Sequence, residues 1–213
     1  MDTVFLRLRS IVFIVFLCVF TQSQADGGPV SNTLLIVGDS LSAAYGVQTD
    51  EAWVTLLRAR LDDEGLENWQ VVNASISGET TDGGLRRLPE LLEENKPGVV
   101  VIELGGNDGL RGFPPTVIEN NLAKMIEHVR DAGARALLVG MQIPPNYGER
   151  YTRIFAGIFP KLAKRYDIGL VEFFLKGIYD QDGMMQSDGI HPTAEAQSQL
   201  LANLWPELEP LLK

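Results

Sequence analysis

The chain has 213 residues, 45% of them hydrophobic, with 28 acidic against 18 basic side chains and a formal net charge of −10. An acidic chain without a lysine or arginine cluster excludes the electrostatic footprint of a nucleic-acid binder and argues against docking to anionic lipid. It carries one cysteine, Cys18, and two histidines, His128 and His191, so any histidine chemistry must use one of those two.

Residues 1–25 read as a secretory signal peptide. Arg7 and Arg9 precede an apolar core from Ile11 to Phe20, and Thr21-Gln22-Ser23-Gln24-Ala25 supplies small residues where a signal peptidase cuts, with cleavage expected after Ala25. The apolar core is about half of the ~20 residues that span a bilayer, so no stable membrane insertion is expected once it is removed. Cleavage takes away Cys18, Asp2, Arg7 and Arg9, leaving a net charge of −11 and no thiol. The mature chain would then reach the periplasm or the medium without a disulfide. A cysteine nucleophile, a thiolate zinc site and an iron–sulfur cluster are all excluded. Residues 26–32, with Gly27, Gly28 and Pro29, read as a flexible lead-in, and 33–213 as a single domain.

From Thr33 onward short apolar runs alternate with longer amphipathic ones. The runs predict strands at Thr33–Val37, Gln70–Asn73, Val99–Leu104, Ala136–Gly140 and Gly169–Val171. Helical spacing predicts helices near Trp53–Asp63, Leu85–Asn95, Pro115–Ala132 and Arg150–Tyr166, with a last one from Thr193 to Trp205. Such alternation implies an α/β fold with a parallel sheet covered on both faces, a doubly wound domain. In Pro115–Ala132 the apolar stripe Ile118, Leu122, Met125, Ile126 and Val129 puts His128 on the opposite, solvated face.

The remaining histidine sits in Asp188-Gly189-Ile190-His191-Pro192, where Pro192 restricts His191 to extended backbone and suits a helix start. At the other end of the chain Gly38-Asp39-Ser40 follows the first predicted strand, placing Ser40 at the carboxyl end of the sheet, where open α/β sheets bind ligands. A neutral serine hydroxyl is a poor nucleophile without an imidazole to take its proton and a carboxylate to fix that imidazole. Ser40 is therefore the candidate nucleophile, His191 the base and then acid, and Asp188 the orienting group. Attack creates an oxyanion, for which the backbone N–H groups of Ser40 and Gly78 and the side-chain amide of Asn107 are the candidate donors.

Four segments, Gly38-Asp39-Ser40-Leu41-Ser42, Ile76-Ser77-Gly78-Glu79-Thr80, Gly105-Gly106-Asn107-Asp108 and Asp188-Gly189-Ile190-His191-Pro192, resemble the four signature blocks of the SGNH, or GDSL, hydrolases, in order and across essentially the whole mature chain. Beyond the blocks, Gly109 to Pro114 and Gln142 to Gly148 resemble the secreted bacterial branch described as arylesterase, acyl-CoA thioesterase and lysophospholipase. The resemblance implies a flavodoxin-like three-layer α/β/α fold with a five-stranded parallel sheet, no metal, no organic cofactor, and the same roles for Ser40, Gly78, Asn107, Asp188 and His191. The substrate would be a small acyl ester, thioester or lysolipid. Leu110, Phe113, Ile143, Pro144 and Tyr147 are expected to border the acyl channel. A monomer is expected.

Other classes fit less well. No serine stands in the Gly-x-Ser-x-Gly frame of an α/β-hydrolase, and no Gly-x-Gly-x-x-Gly follows the first strand. One histidine among scattered carboxylates forms no recognised ligand spacing for a metallohydrolase. A carbohydrate O-acetyl esterase and a catalytically inactive acyl- or glycan-binding module remain alternatives.

Overall fold

The computed structural model describes residues 31–213. Residues 1–25, read as a signal peptide, and residues 26–30 of the lead-in lie outside the described residues. Five strands form the sheet: β1 (Thr33–Gly38), β2 (Gln70–Asn73), β3 (Val99–Glu103), β4 (Arg135–Val139) and β5 (Gly169–Val171). Their order is β2-β1-β3-β4-β5 and every neighbouring pair is parallel. This is the flavodoxin-like order, whose direction reverses between β1 and β3 and opens a crevice beyond their carboxyl ends.

The helices are α1 (Trp53–Asp63), α2 (Thr81–Asn95), α3 (Gly106–Leu110), α4 (Pro115–Asp131), α5 (Glu149–Tyr166) and α6 (Gln197–Leu208). α1 and α6 pack together on one face of the sheet, and α2, α4 and α5 on the other. β1, β3 and β4 are covered on both sides, which is why their sequences are aliphatic runs without alternation. β2 and β5 are the edges and keep partly exposed residues. On α4 the stripe from Ile118 to Val129 is buried and His128 is exposed.

Three elements differ from their sequence-based reading by more than one residue at an end. The segment after β3, read as a turn, is the short helix α3; Gly105, at φ 114°, turns the chain into it. α2 begins at Thr81 rather than Leu85, because Thr80 Oγ1 caps the Gly83 N–H and so supports a first turn containing two glycines. α6 begins at Gln197 rather than Thr193 and continues to Leu208. The residues between are turns, with the Ala196 N–H donating to the Thr193 carbonyl. Among the described residues no helix is long and apolar enough to cross a membrane.

Candidate active site

The turn after β1 is built from its own hydrogen bonds. The N–H groups of Ser42 and Ala43 donate to the Asp39 carbonyl at 3.2 and 3.0 Å, and Asp39 Oδ1 accepts from the Leu41 N–H at 3.1 Å. Trp53 Nε1 fastens it from α1 by donating to the Leu41 carbonyl (3.0 Å), and Asn73 Nδ2 from β2 by donating to the Ser42 carbonyl (2.8 Å). Gly38 is required here: a Cβ would stand 2.6 Å from Glu103 Oε2 on the neighbouring strand. Ser40 is thereby presented at the switch point of the sheet.

The loop carrying the histidine is closed by an antiparallel bridge between Met185 and Pro192 and by the Gln186 N–H donating to the His191 carbonyl at 2.7 Å. Asp188 Oδ1 accepts the Ile190 and His191 N–H groups at 2.9 and 3.0 Å, and Oδ2 lies 2.7 Å from His191 Nδ1. His191 Nε2 lies 2.9 Å from Ser40 Oγ. An ionised Asp188 accepts from Nδ1–H, which leaves Nε2 as the acceptor facing the serine. The His191 hydrogen bond, followed by that from Ile190, lowers the Asp188 pKa to about 2. Gln186 ties the two halves together, its Nε2 donating to the Tyr45 and Pro192 carbonyls at 3.0 and 2.9 Å. The Tyr45 ring packs on His191 at 4.3 Å between centroids.

The three candidate oxyanion donors come from three different strand ends. Among the described residues, neither the Ser40 nor the Gly78 N–H has a protein acceptor. Gly78, at φ 78°, is held by its carbonyl, which accepts from Arg111 Nη2 at 3.1 Å. Arg87 braces the same loop through Glu79 Oε2 and the Ala74 carbonyl, both at 2.8 Å. Asn107 stands in the first turn of α3, its Nδ2 donating to Asp39 Oδ2 at 2.9 Å. The next residue, Asp108, anchors α3 by accepting from the Thr81 N–H (2.9 Å) and Thr81 Oγ1 (2.5 Å).

Two acids missed by sequence reading lie directly beneath. Asp39 and Glu103 are both buried, and Glu103 Oε2 accepts from Ser42 Oγ at 2.6 Å and from the Asp39 N–H at 3.2 Å. Burial raises the Asp39 pKa to about 6, against the hydrogen bonds from Leu41 and Asn107 and the charge of His191. Burial and then the Asp39 charge raise Glu103 well above the usual carboxylate range. An acid ending the run Val99-Val100-Val101-Ile102 was the signal that could have marked Glu103 in sequence.

Ser40, Asn107 and His191 open onto a cavity of about 680 Å³. Of the residues expected to border the acyl channel, Leu110, Ile143 and Pro144 line it, together with Met141, Phe173, Leu175, Tyr179, Met185 and Ile190. Two expected channel residues do not line this cavity. The Tyr147 hydroxyl instead donates to the Leu110 carbonyl at 2.9 Å, and its ring borders a separate depression with Pro115 and Ile154. The Phe113 carbonyl accepts from Tyr151, and its side chain packs on the core. Phe173, Leu175, Tyr179, Met185 and Ile190 escaped sequence reading as wall residues because loop residues without periodicity do not reveal which way they face. Among the described residues no group of three or more His, Cys, Asp or Glu side chains could hold a metal ion.

Residues 36–198 match the sequence profile of the GDSL-like Lipase/Acylhydrolase family. The chain belongs to this family. It is 54% identical over 196 residues to the Esterase TesA of Pseudomonas aeruginosa, covering 92% of this chain and 94% of that one. It is 44% identical over 201 residues to the Thioesterase 1/protease 1/lysophospholipase L1 of Escherichia coli K12, covering 94% of this chain and 91% of the other. A crystal structure of TesA superposes with a TM-score of 0.82 at 56% identity, over 84% of this chain and 99% of that one. This GDSL hydrolase is a serine esterase acting on ester bonds.

Proposed function

We propose that the mature chain is an exported esterase that transfers acyl groups from esters and thioesters, lysophospholipids and aryl esters among them, to Ser40 and then to water. The observation that carries this reading is the line of hydrogen bonds Asp188–His191–Ser40 ending at the mouth of a largely apolar cavity. Ser40 Oγ attacks the acyl carbonyl carbon while His191 Nε2 takes its proton, and Asp188 holds the resulting imidazolium. The oxyanion is met by the N–H groups of Ser40 and Gly78 and by the Asn107 amide, donors fixed before the substrate arrives. Collapse breaks the bond to the leaving oxygen or sulfur, which His191 protonates. Water then attacks the acyl-Ser40 carbonyl with His191 again as base, releasing the acid and the serine.

The names of the relatives support this breadth: one is an esterase and another a thioesterase and lysophospholipase. Export rests on the pattern of residues 1–25, and places the enzyme in the periplasm or the medium. The enzyme acts as a monomer, with no nucleic-acid partner. The wall of Met141, Phe173, Leu175 and Ile190 offers more apolar surface than an acetyl group uses, which favours longer acyl chains over a carbohydrate O-acetyl ester. Hydrolysis of p-nitrophenyl esters from acetate to palmitate, with Ser40→Ala alongside, tests the reading. Turnover is expected for chains longer than acetate and none for the variant; a sharp optimum at acetate would favour the carbohydrate deacetylase.

A further inference from the structure

Glu103 is the last residue of β3, wholly buried under the turn that carries Ser40, and the chemistry above gives it no part. Its Oε2 accepts from the Ser42 hydroxyl and the Asp39 N–H, while its Oε1 is buried without a hydrogen-bond partner among the described residues. None of the ion pairs among the described residues includes it. The charged group that faces it is Asp39, which in turn feels His191 and Asp108. Two carboxyl groups in such a place do not both ionise.

Hydrogen-bond direction decides which one keeps the charge. Both Asp39 oxygens take N–H donors, the Leu41 backbone N–H on Oδ1, which cannot reverse, and the Asn107 amide on Oδ2. Glu103 faces one N–H and a hydroxyl that can rotate to accept, and its other oxygen has no protein donor among the described residues. An ionised Glu103 would leave an anionic oxygen without a protein donor in the core, whereas a protonated one would not. We propose that Glu103 is a positioning residue that works as the neutral acid: it keeps the single negative charge of the pair on Asp39 and, by holding the Asp39 backbone and the Ser42 hydroxyl, fixes the Asp39–Asn107 contact that aims the oxyanion amide. The inference rests on the reading of Asn107 as an oxyanion donor.

Glu103→Gln is the isostere of the protonated acid and Glu103→Ala removes the support. Infrared difference spectra of wild type against Glu103→Gln at pH 8 should show the C=O stretch of a protonated carboxyl, present only in the wild type and shifted in deuterium oxide. Ester hydrolysis by Glu103→Gln should keep the wild-type kcat, KM and pH profile. Glu103→Ala should lose kcat on the order of 100-fold, the cost of one misaimed oxyanion donor, with KM nearly unchanged. Absence of the carboxyl band would overturn the proposal. So would a Glu103→Gln acid limb moved to lower pH, as removal of a like charge beside Asp39 would produce, or a Glu103→Ala enzyme with wild-type kcat. The infrared band does not depend on turnover, so it decides the matter if Glu103→Ala does not fold. Loss of the serine mechanism itself would appear separately, as turnover surviving in Ser40→Ala.

Discussion

Asp188 binds His191 and Asp39 feels its charge, yet the pKa values of the two acids are shifted in opposite directions, and their surroundings are the reason. Asp188 is lowered to about 2 from 3.8 by the His191 and Ile190 hydrogen bonds. Its contribution to folding is present above pH 3.8 and disappears as pH falls toward 2. Asp39 is raised from 3.8 to about 6 by burial, so between those values the folded state holds a proton that the unfolded state has released. Stability is therefore lost as pH rises through that window. Asp39→Asn should flatten this pH dependence of the urea midpoint while lowering kcat, because an asparagine has one acceptor oxygen for the two donors of Leu41 and Asn107. A variant midpoint that still falls as pH rises from about 4 to 6, as the wild type's does, would mean that Asp39 is not the group responsible. Asn107→Ala removes the amide itself and should cost 100-fold or more in kcat, with little change in KM; steady-state kinetics on one p-nitrophenyl ester reads both.

The short helix α3 is the element whose placement matters most and whose sequence says least. Gly105-Gly106-Asn107-Asp108-Gly109 has turn composition, and glycine disfavours helix by about 1 kcal/mol per residue, so local propensity points away from the observed state. What orders it is tertiary: Asp108 accepts two donors from Thr81 at the start of α2, and Asn121 Nδ2 on α4 donates to the same Thr81 hydroxyl at 3.1 Å. Gly109 lies so close to Ile143 and Phe155 that a Cβ would meet them at 2.7 and 2.8 Å. Asp108→Ala leaves the Thr81 N–H and hydroxyl buried without their acceptor. It should lower stability by about 3 kcal/mol in urea unfolding, and loosen Asn107 with it. Strands and long helices were legible because burial on one or two faces imposes a period on the sequence, as in β1, β3 and α4. α3 and the first turn of α2 were not, since each depends on the other.

Over the whole molecule, the function follows from where the sheet order reverses. β1 delivers Ser40 and β3 delivers Asn107 on either side of the switch point, the loop after β2 brings Gly78, and the segment after β5 returns with Asp188 and His191. These residues were legible because turn chemistry after apolar runs places them on one edge of the sheet. The cavity wall was legible only in part. Leu110, Ile143 and Pro144 line the cavity, whereas Phe113 and Tyr147 face elsewhere, because the direction of a loop side chain is set by packing that no local pattern encodes. The wall predicts its own test. Ile190→Trp, at the rim of the cavity, should shorten the preferred acyl chain without abolishing turnover of short esters, as read from the p-nitrophenyl series.

Acyl transfer through Ser40 makes its hydroxyl the atom that a phosphonate ester should capture. The most direct measurement is the intact mass of the protein after exposure to an aryl phosphonate ester, followed by peptide mapping. One added phosphonyl group on the peptide containing Ser40, with none in Ser40→Ala, is the predicted result. Labelling at another residue, or equal labelling of the variant, would contradict it.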